Sequence, residues 1–255
     1  MPAIYLPELS GSRLDAALSQ APLAILPTGS VEYHGPHGTL GTDLFLADVL
    51  AQRVADGLDA LLLPTVPFAH CPPWTRIYRG TLTISEETMA RYLEDILAGV
   101  FALGVRGVLV LNAHDGNIRP VQTAGDRLAD RYPDHFLLLV NWWESLPDAE
   151  LHALGYSQNR GHGHGGPLEI SAGDAARPGT ANWQAARDLD VIFAPGKGVV
   201  RAVYEGRPLP NWQGYHGRAT EGSLEKGQRL LDIATEQIVT LTREWLVELN
   251  QARPT

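Results

Sequence analysis

The sequence predicts an α/β fold: a mostly parallel central sheet with helices on both faces, in a single domain over residues 1–255. Three observations lead there. Short apolar runs closed by Pro or Gly alternate four times with stretches of helical periodicity before residue 144, the pattern of parallel strands joined by crossover helices. With 255 residues, 44% of them apolar and 19% charged, the chain can bury one large core. No internal repeat or low-complexity linker divides it.

"LAILPTGS" (Leu23–Ser30) reads as the first buried strand. Thr42 then stands as the N-cap of "DLFLADVLAQRVADGL", whose apolar residues recur at helical spacing. "ALLLPTVPF" (Ala60–Phe68) is the second strand. "SEETMARYLEDILAGVFALG" (Ser85–Gly104) follows as a helix, with a capping serine, acidic residues in the first turn and glycine at its close. "RGVLVLN" (Arg106–Asn112) is a third strand, "IRPVQTAGDRLADRY" a third helix and "HFLLLVNWW" (His135–Trp143) a fourth strand. Crossovers should be right-handed. Residues 146–220 are rich in Gly and Pro, with one helix expected at Leu168–Ala176, and a long amphipathic helix over Gly222–Asn250 follows.

A net charge of −9, a pI near 5.4 and no Lys/Arg cluster argue against nucleic acid or an anionic membrane as partner. No apolar run is long enough to span a bilayer. The first fifteen residues lack a basic segment leading into an apolar one, so no secretory leader and a cytoplasmic location are expected. Cys71 is the sole cysteine, which leaves no intrachain disulfide framework and no thiolate cluster. It reads as an inert thiol in preference to a nucleophile. The modest charge content hints at buried subunit interfaces.

The nine histidines are not scattered. His34 and His37 follow the first strand, His70 the second, His114 the third, and His162 and His164 the fourth. Open α/β sheets bind ligands outside the carboxyl ends of their strands. Glu32 and His34 are two residues apart and so point to one side of an extended chain. Asp43 arrives where the first long helix begins, with helix capping as its plain structural reading. "VLVLNAHDGN" delivers Asn112, His114, Asp115 and Asn117 to a strand tip. Glu169 falls near the start of the later helix, either as a favourable first-turn carboxylate or as a metal ligand or proton acceptor. Nitrogen and carboxylate donors without thiolates suit zinc, manganese or iron(II), and carboxylates that bridge allow a two-metal centre. His135, His152 and His216 read as structural or surface residues.

These segments together resemble the creatininase (creatinine amidohydrolase) family. "GSVEYHGPHGTLGTD" is similar to that family's Gly-x-x-Glu-x-His-Gly-x-His segment leading to a metal-binding Asp, and "YRGTLTIS" to its Pro-Gly-Thr stretch. "LVLNAHDGN" resembles its Asn-Gly-His-x-x-Asn strand end, "HGGPLEIS" its His-x-Gly-x-x-Glu-Thr-Ser, and "SLEKGQRLL" its late Glu-Lys-Gly helix start. The resemblance runs in order from about residue 22 to 230. It implies a three-layer α/β/α sandwich, hydrolysis of C–N bonds, two divalent cations per chain (zinc, manganese or iron) and a homo-oligomer, a hexamer in the family.

Carried over residue by residue, the resemblance implies that Glu32, Asp43 and His114 hold one metal. His34 and Asp43 would hold the second, with Asp43 bridging. His164 aligns with a histidine that handles protons, and Trp143 with an aromatic residue in a loop near the substrate. Members that act on creatinine complete the second metal's shell with a glutamate two residues after the strand-end histidine; here that position is Gly116. Glu169 is the favoured replacement and Asp115 the other. Those members also carry a Tyr after that histidine and a Trp-Asp pair before the catalytic one, where this chain has Asp115, Arg160 and Gly161. Asp115, Trp143 and Arg160 are the expected substrate contacts, Arg160 suiting a carboxylate or phosphate.

The chemistry expected from this resemblance is amide hydrolysis by metal-activated hydroxide, with His164 or Glu169 moving the proton. Creatinine is then one candidate among several small-molecule amides. Formamide deformylation and peptide trimming occur in the same family, and a metal-binding subunit without catalysis is the alternative from another class.

Overall fold

The computed structural model describes residues 3–21, 23–157, 163–189 and 212–251. Its centre is a five-stranded sheet formed by β1 (Ile4–Tyr5), β2 (Ala24–Thr28), β3 (Leu61–Leu62), β4 (Gly107–Asn112) and β5 (Phe136–Asn141). The strands lie in the order β1-β3-β2-β4-β5 and every neighbouring pair is parallel. The helices are α1 (Leu14–Gln20), α2 (Thr42–Leu58), α3 (Pro73–Arg76), α4 (Glu86–Ala102), α5 (Ile118–Ala129), α6 (Asp148–Ala153), α7 (Pro167–Ala176) and α8 (Leu224–Gln251). A small antiparallel pair, β6 (Asp188–Leu189) with β7 (Gly217–Arg218), stands apart from the main sheet.

Alternation along the strands divides the core in two, because successive side chains leave opposite faces of a sheet. Ile25, Leu109 and Leu111 pack with Leu46, Leu50 and Val54 of α2 and with Leu230, Leu231 and Ile238 of α8. Ala24, Leu26, Val108 and Val110 face the other way, onto Met89, Leu93 and Leu97 of α4 and Val121, Ala124 and Leu128 of α5. The result is the expected three-layer α/β/α sandwich. Among the described residues no helix is long and apolar enough to cross a membrane.

The chain turns from β2 outward to β3 and then returns to the other side of β2 for β4. This reversal leaves a crevice between β2 and β4 at their carboxyl ends, the topological switch point where open α/β sheets bind ligands. Thr28 pairs with Asn112, and Asn112 with Asn141, so three strand ends stop level with one another. Thr28 Oγ1 donates to Asn112 Oδ1 (3.0 Å), and Asn112 Nδ2 donates to Asn141 Oδ1 (2.9 Å).

Two local expectations are corrected. The second strand is only Leu61–Leu62, because Pro64 lacks the amide that a continuing ladder needs; a single parallel bridge, Thr28 to Val66, resumes beyond it. Thr42 is the first residue of α2 and not its cap; its hydroxyl turns back to donate to the Thr39 carbonyl (2.7 Å). Ser85 does cap α4, its Oγ accepting from the Thr88 amide (3.0 Å).

Candidate metal centre

Four segments converge at the switch point. After β2 the chain carries Glu32 and His34, then folds back on itself through a bond from the Glu32 amide to the Leu40 carbonyl (2.8 Å). Gly35 makes the turn possible with φ +81°, a conformation that a side chain disfavours. The returning chain starts α2 and places Asp43 in its first turn. Beyond β4 comes His114, and ahead of α7 come His164 and, in the first turn, Glu169.

Glu32, His34 and Asp43 are fully buried, and His114 is 5% exposed. Asp43 presents its two oxygens to different partners: Oδ1 lies 3.1 Å from His34 Nε2, and Oδ2 lies 3.1 Å from His114 Nδ1. Glu32 Oε2 is 3.2 Å from the same His114 nitrogen and 3.5 Å from His164 Nδ1. Glu169 Oε2 is 3.5 Å from His34 Nε2 and accepts the Gly165 amide at 2.6 Å. Ser30 Oγ donates to Asp43 Oδ2 (2.6 Å), and the Thr75 hydroxyl donates to Glu32 Oε1.

Backbone carbonyls set the imidazole tautomers. A carbonyl only accepts, so the ring nitrogen facing it must carry the proton. His34 Nδ1 donates to the Glu32 carbonyl (2.9 Å), His114 Nε2 to the His70 carbonyl (3.1 Å) and His164 Nε2 to the Tyr33 carbonyl (2.6 Å). Each histidine thereby turns its other nitrogen, a potential lone-pair donor, toward the carboxylates.

The electrostatics call for positive charge. Burial pushes the Glu32 carboxyl up, but His164, His114 and His34 together outweigh it and hold it at about 2. Asp43 is likewise driven up by burial and pulled further down by His34 and His114, to below the ordinary carboxylate range. Burial pushes His34 and His114 down, and the surrounding carboxylates more than reverse this, holding both well above the imidazole norm. Glu32 Oε2, though buried, has no hydrogen-bond partner. Nitrogen and oxygen donors in compact groups, with an orphaned carboxylate oxygen among them, fit divalent cations. Donor atoms of His34, Asp43 and Glu169 lie within 4.8 Å of one another, as do those of Glu32, His34 and His164, and those of Glu32, Cys71 and His114.

The arrangement answers to a family. The creatininase profile, described as creatinine amidohydrolase, matches residues 7–242. The chain belongs to the creatininase family. It is a metal-dependent amidohydrolase of that type. Creatinine amidohydrolase of Pseudomonas putida is 22% identical over 261 residues, covering 95% of this chain and 97% of that one. Mycofactocin precursor peptide peptidase of Mycobacterium tuberculosis (strain H37Rv) is 24% identical over 253 residues, covering 94% and 92%. The 3-dehydro-scyllo-inosose hydrolase of Thermotoga maritima matches at 26% over 146 residues, 57% of this chain and only 47% of its own length. Among solved structures, a creatinine amidohydrolase superposes with a TM-score of 0.83 at 23% identity, covering all of both chains. A zinc–zinc form of a creatininase variant scores 0.82 at 22% identity, covering 96% of this chain and 99% of that one.

Within this family member, the remaining sequence-derived candidates fall as follows. Asp115 and Trp143 line a cavity of about 940 Å³ that also reaches Glu32, His114, His164 and Glu169. Burial pushes the Asp115 carboxyl up. Arg160, with Gly161 and His162, lies outside the described residues. Asn112 and Asn117 orient the His114 loop: Asn112 Oδ1 accepts the His114 amide (3.1 Å), and Asn117 Nδ2 donates to the Gly29 carbonyl (3.1 Å). His37 Nε2 donates to the Gly165 carbonyl (2.9 Å), tying the His34 loop to the His164 loop. His70 contributes its carbonyl to the centre, while its ring faces the Ile84 carbonyl (3.2 Å).

Sequence reasoning missed several residues. His216 was expected to be structural or surface, yet it lines the cavity, and its amide donates to the His164 carbonyl (3.1 Å). Trp74, Trp142 and Trp212 line the same cavity. They supply aromatic walls, although Asp115 and Arg160 stand where creatinine-acting members carry Tyr and Trp. Trp212 is pinned by Nε1 to the Trp74 carbonyl (2.8 Å). Neither Trp212 nor His216 follows a strand of the main sheet, so no sequence signal tied them to the site. Cys71, read as inert, lies against Glu32 and His114.

Proposed function

We propose that this enzyme hydrolyses a carbon–nitrogen bond of an amide at a centre built for two divalent cations. The observation that carries the proposal is the split of Asp43, whose two oxygens serve two donor sets. Glu32, His114 and Asp43 Oδ2 would hold one cation; His34, Glu169 and Asp43 Oδ1 would hold the other. Glu169 then takes the place of the carboxylate missing at Gly116. Such cations, when bound, supply Lewis acidity, polarising a carbonyl and acidifying water.

The protein's own part is positioning and proton transfer. His164, with Nε2 fixed by the Tyr33 carbonyl, has Nδ1 available to accept a proton from the attacking water and return it to the leaving nitrogen. Its ring sits 4.2 Å from that of His34, centroid to centroid, which places this transfer beside the donor cluster. Asp115 and the tryptophans form the substrate walls. An open cleft of about 940 Å³ has room for more than one small ring. It favours a bulkier amide, such as a peptide end, over creatinine, in keeping with the peptidase relative.

The test is elemental analysis of protein purified without chelator, joined to hydrolysis assays on creatinine, formamides, cyclic amides and short peptides. About two zinc, manganese or iron ions per chain, with turnover of a peptide or other bulky amide, is the expected result. Asp43→Ala should lose nearly all bound metal; two ions still present per chain would refute the bridging role. Stoichiometric metal with no turnover across the panel would favour a binding subunit instead. Assembly belongs to the same reading: Phe68, Ile77 and Leu82, and on α8 Leu241, Trp245 and Val247, are exposed apolar residues that suit contacts between copies of the chain.

A further inference from the structure

Cys71 follows His70 in the segment between β3 and α3 and is fully buried. Its amide donates to Thr83 Oγ1 (2.9 Å), while Sγ makes a distant contact with the Leu82 carbonyl at 3.9 Å and is hydrogen-bonded to the His114 ring. Sγ, a Glu32 carboxylate oxygen and a His114 ring nitrogen all lie within 4.8 Å of one another. The orphaned oxygen of the buried Glu32, Oε2, is 3.2 Å from His114 Nδ1 and points independently to a missing ligand there. Position 116 contributes no donor, since a Cβ on Gly116 would stand 2.0 Å from the His70 carbonyl oxygen and 2.6 Å from His114 Nε2.

We infer that Cys71 supplies a thiolate to the cation held by Glu32 and His114, and that this half of the centre prefers zinc or another thiophilic cation to manganese. The inference rests on the two-cation reading and deepens it. Thiolate is a soft donor and selects for such metals, whereas carboxylate and imidazole alone leave manganese competitive. On binding, the cation–sulfur bond replaces the S–H bond and the proton leaves to solvent; nothing is oxidised or reduced.

Cobalt(II) added to chelator-stripped protein tests this without an activity assay. The expected spectrum has visible ligand-field bands together with a near-ultraviolet sulfur-to-cobalt charge-transfer band. Cys71→Ser and Cys71→Ala should keep the visible bands and lose the near-ultraviolet one. Their preference for zinc over manganese, from competition titration, should fall about tenfold or more. Visible bands without the charge-transfer band in the unmodified protein would overturn the thiolate while leaving the two-cation reading intact. Failure to take up cobalt would overturn both. Because the unmodified protein decides the question, a variant that does not fold cannot shelter it.

Discussion

His114 shows how closely single residues control the centre. Its amide is held by Asn112, its Nε2 by the His70 carbonyl, and its Nδ1 looks at Glu32 and Asp43. Gly116 is part of that grip, for there is no room beside it for even a methyl group. The crowding atom is a backbone oxygen, which cannot rotate aside as a flexible side chain would. Gly116→Ala should therefore cost about 1–3 kcal/mol and lower the metal content by displacing the His114 ring. Denaturant titration and elemental analysis of the same sample check both; an unchanged midpoint with full metal would mean the loop yields freely.

At the scale of elements, the level ends of β2, β4 and β5 make a polar ledge under the site. Asn112 Oδ1 accepts from Thr28, from the His114 amide and from Asn117 (3.3 Å), and all of these groups are buried or nearly so. Removing one acceptor strands several donors, which is costlier than losing one bond. Asn112→Ala is expected to lose about 3 kcal/mol in urea unfolding; a loss under 1 kcal/mol would show that the ledge is not structural. A second device joins α7 to α8. Tyr156 donates to Ser171 Oγ (3.3 Å), and Lys226 Nζ lies 4.6 Å from its ring centroid. Burial pushes the Tyr156 phenol from 10.0 up to about 12. Because the folded state favours the protonated form, its contribution is complete below pH 10 and disappears as pH rises from 10 to 12. That rise is worth roughly 3 kcal/mol. Stability measured across that interval should fall more steeply in the unmodified protein than in Tyr156→Phe, and equal slopes would refute it.

At the scale of the whole molecule, the donors come from segments separated by more than a hundred residues, and only the folded chain brings them together. Cation binding is therefore coupled to folding. Chelation is expected to lower the thermal midpoint by roughly 10 °C, restored by returning zinc; calorimetry showing no shift would mean the cations contribute nothing to the fold. Sedimentation should find the protein as an oligomer, and a monomer at micromolar concentration would remove the reading of the exposed apolar residues.

Much of this was legible in the sequence, for a definite reason. Period-two and helical periodicity with Pro and Gly punctuation are local properties, so the α/β alternation and the Ser85 cap could be read directly. The fold rule then told where strand ends gather, and the family resemblance singled out Glu32, His34, Asp43, His114, His164 and Glu169 from the polar residues there. Local signals overreached at Ala60–Phe68, where Pro64 broke the ladder, and at Thr42, which lies inside the helix and donates its hydroxyl to the Thr39 carbonyl. The tertiary structure alone decided what distance and direction govern: which Asp43 oxygen faces which histidine, that Gly116 leaves no space, and that Cys71 and His216 reach the site. Those facts depend on packing between segments remote in the chain, and no spacing along a single strand or helix encodes them.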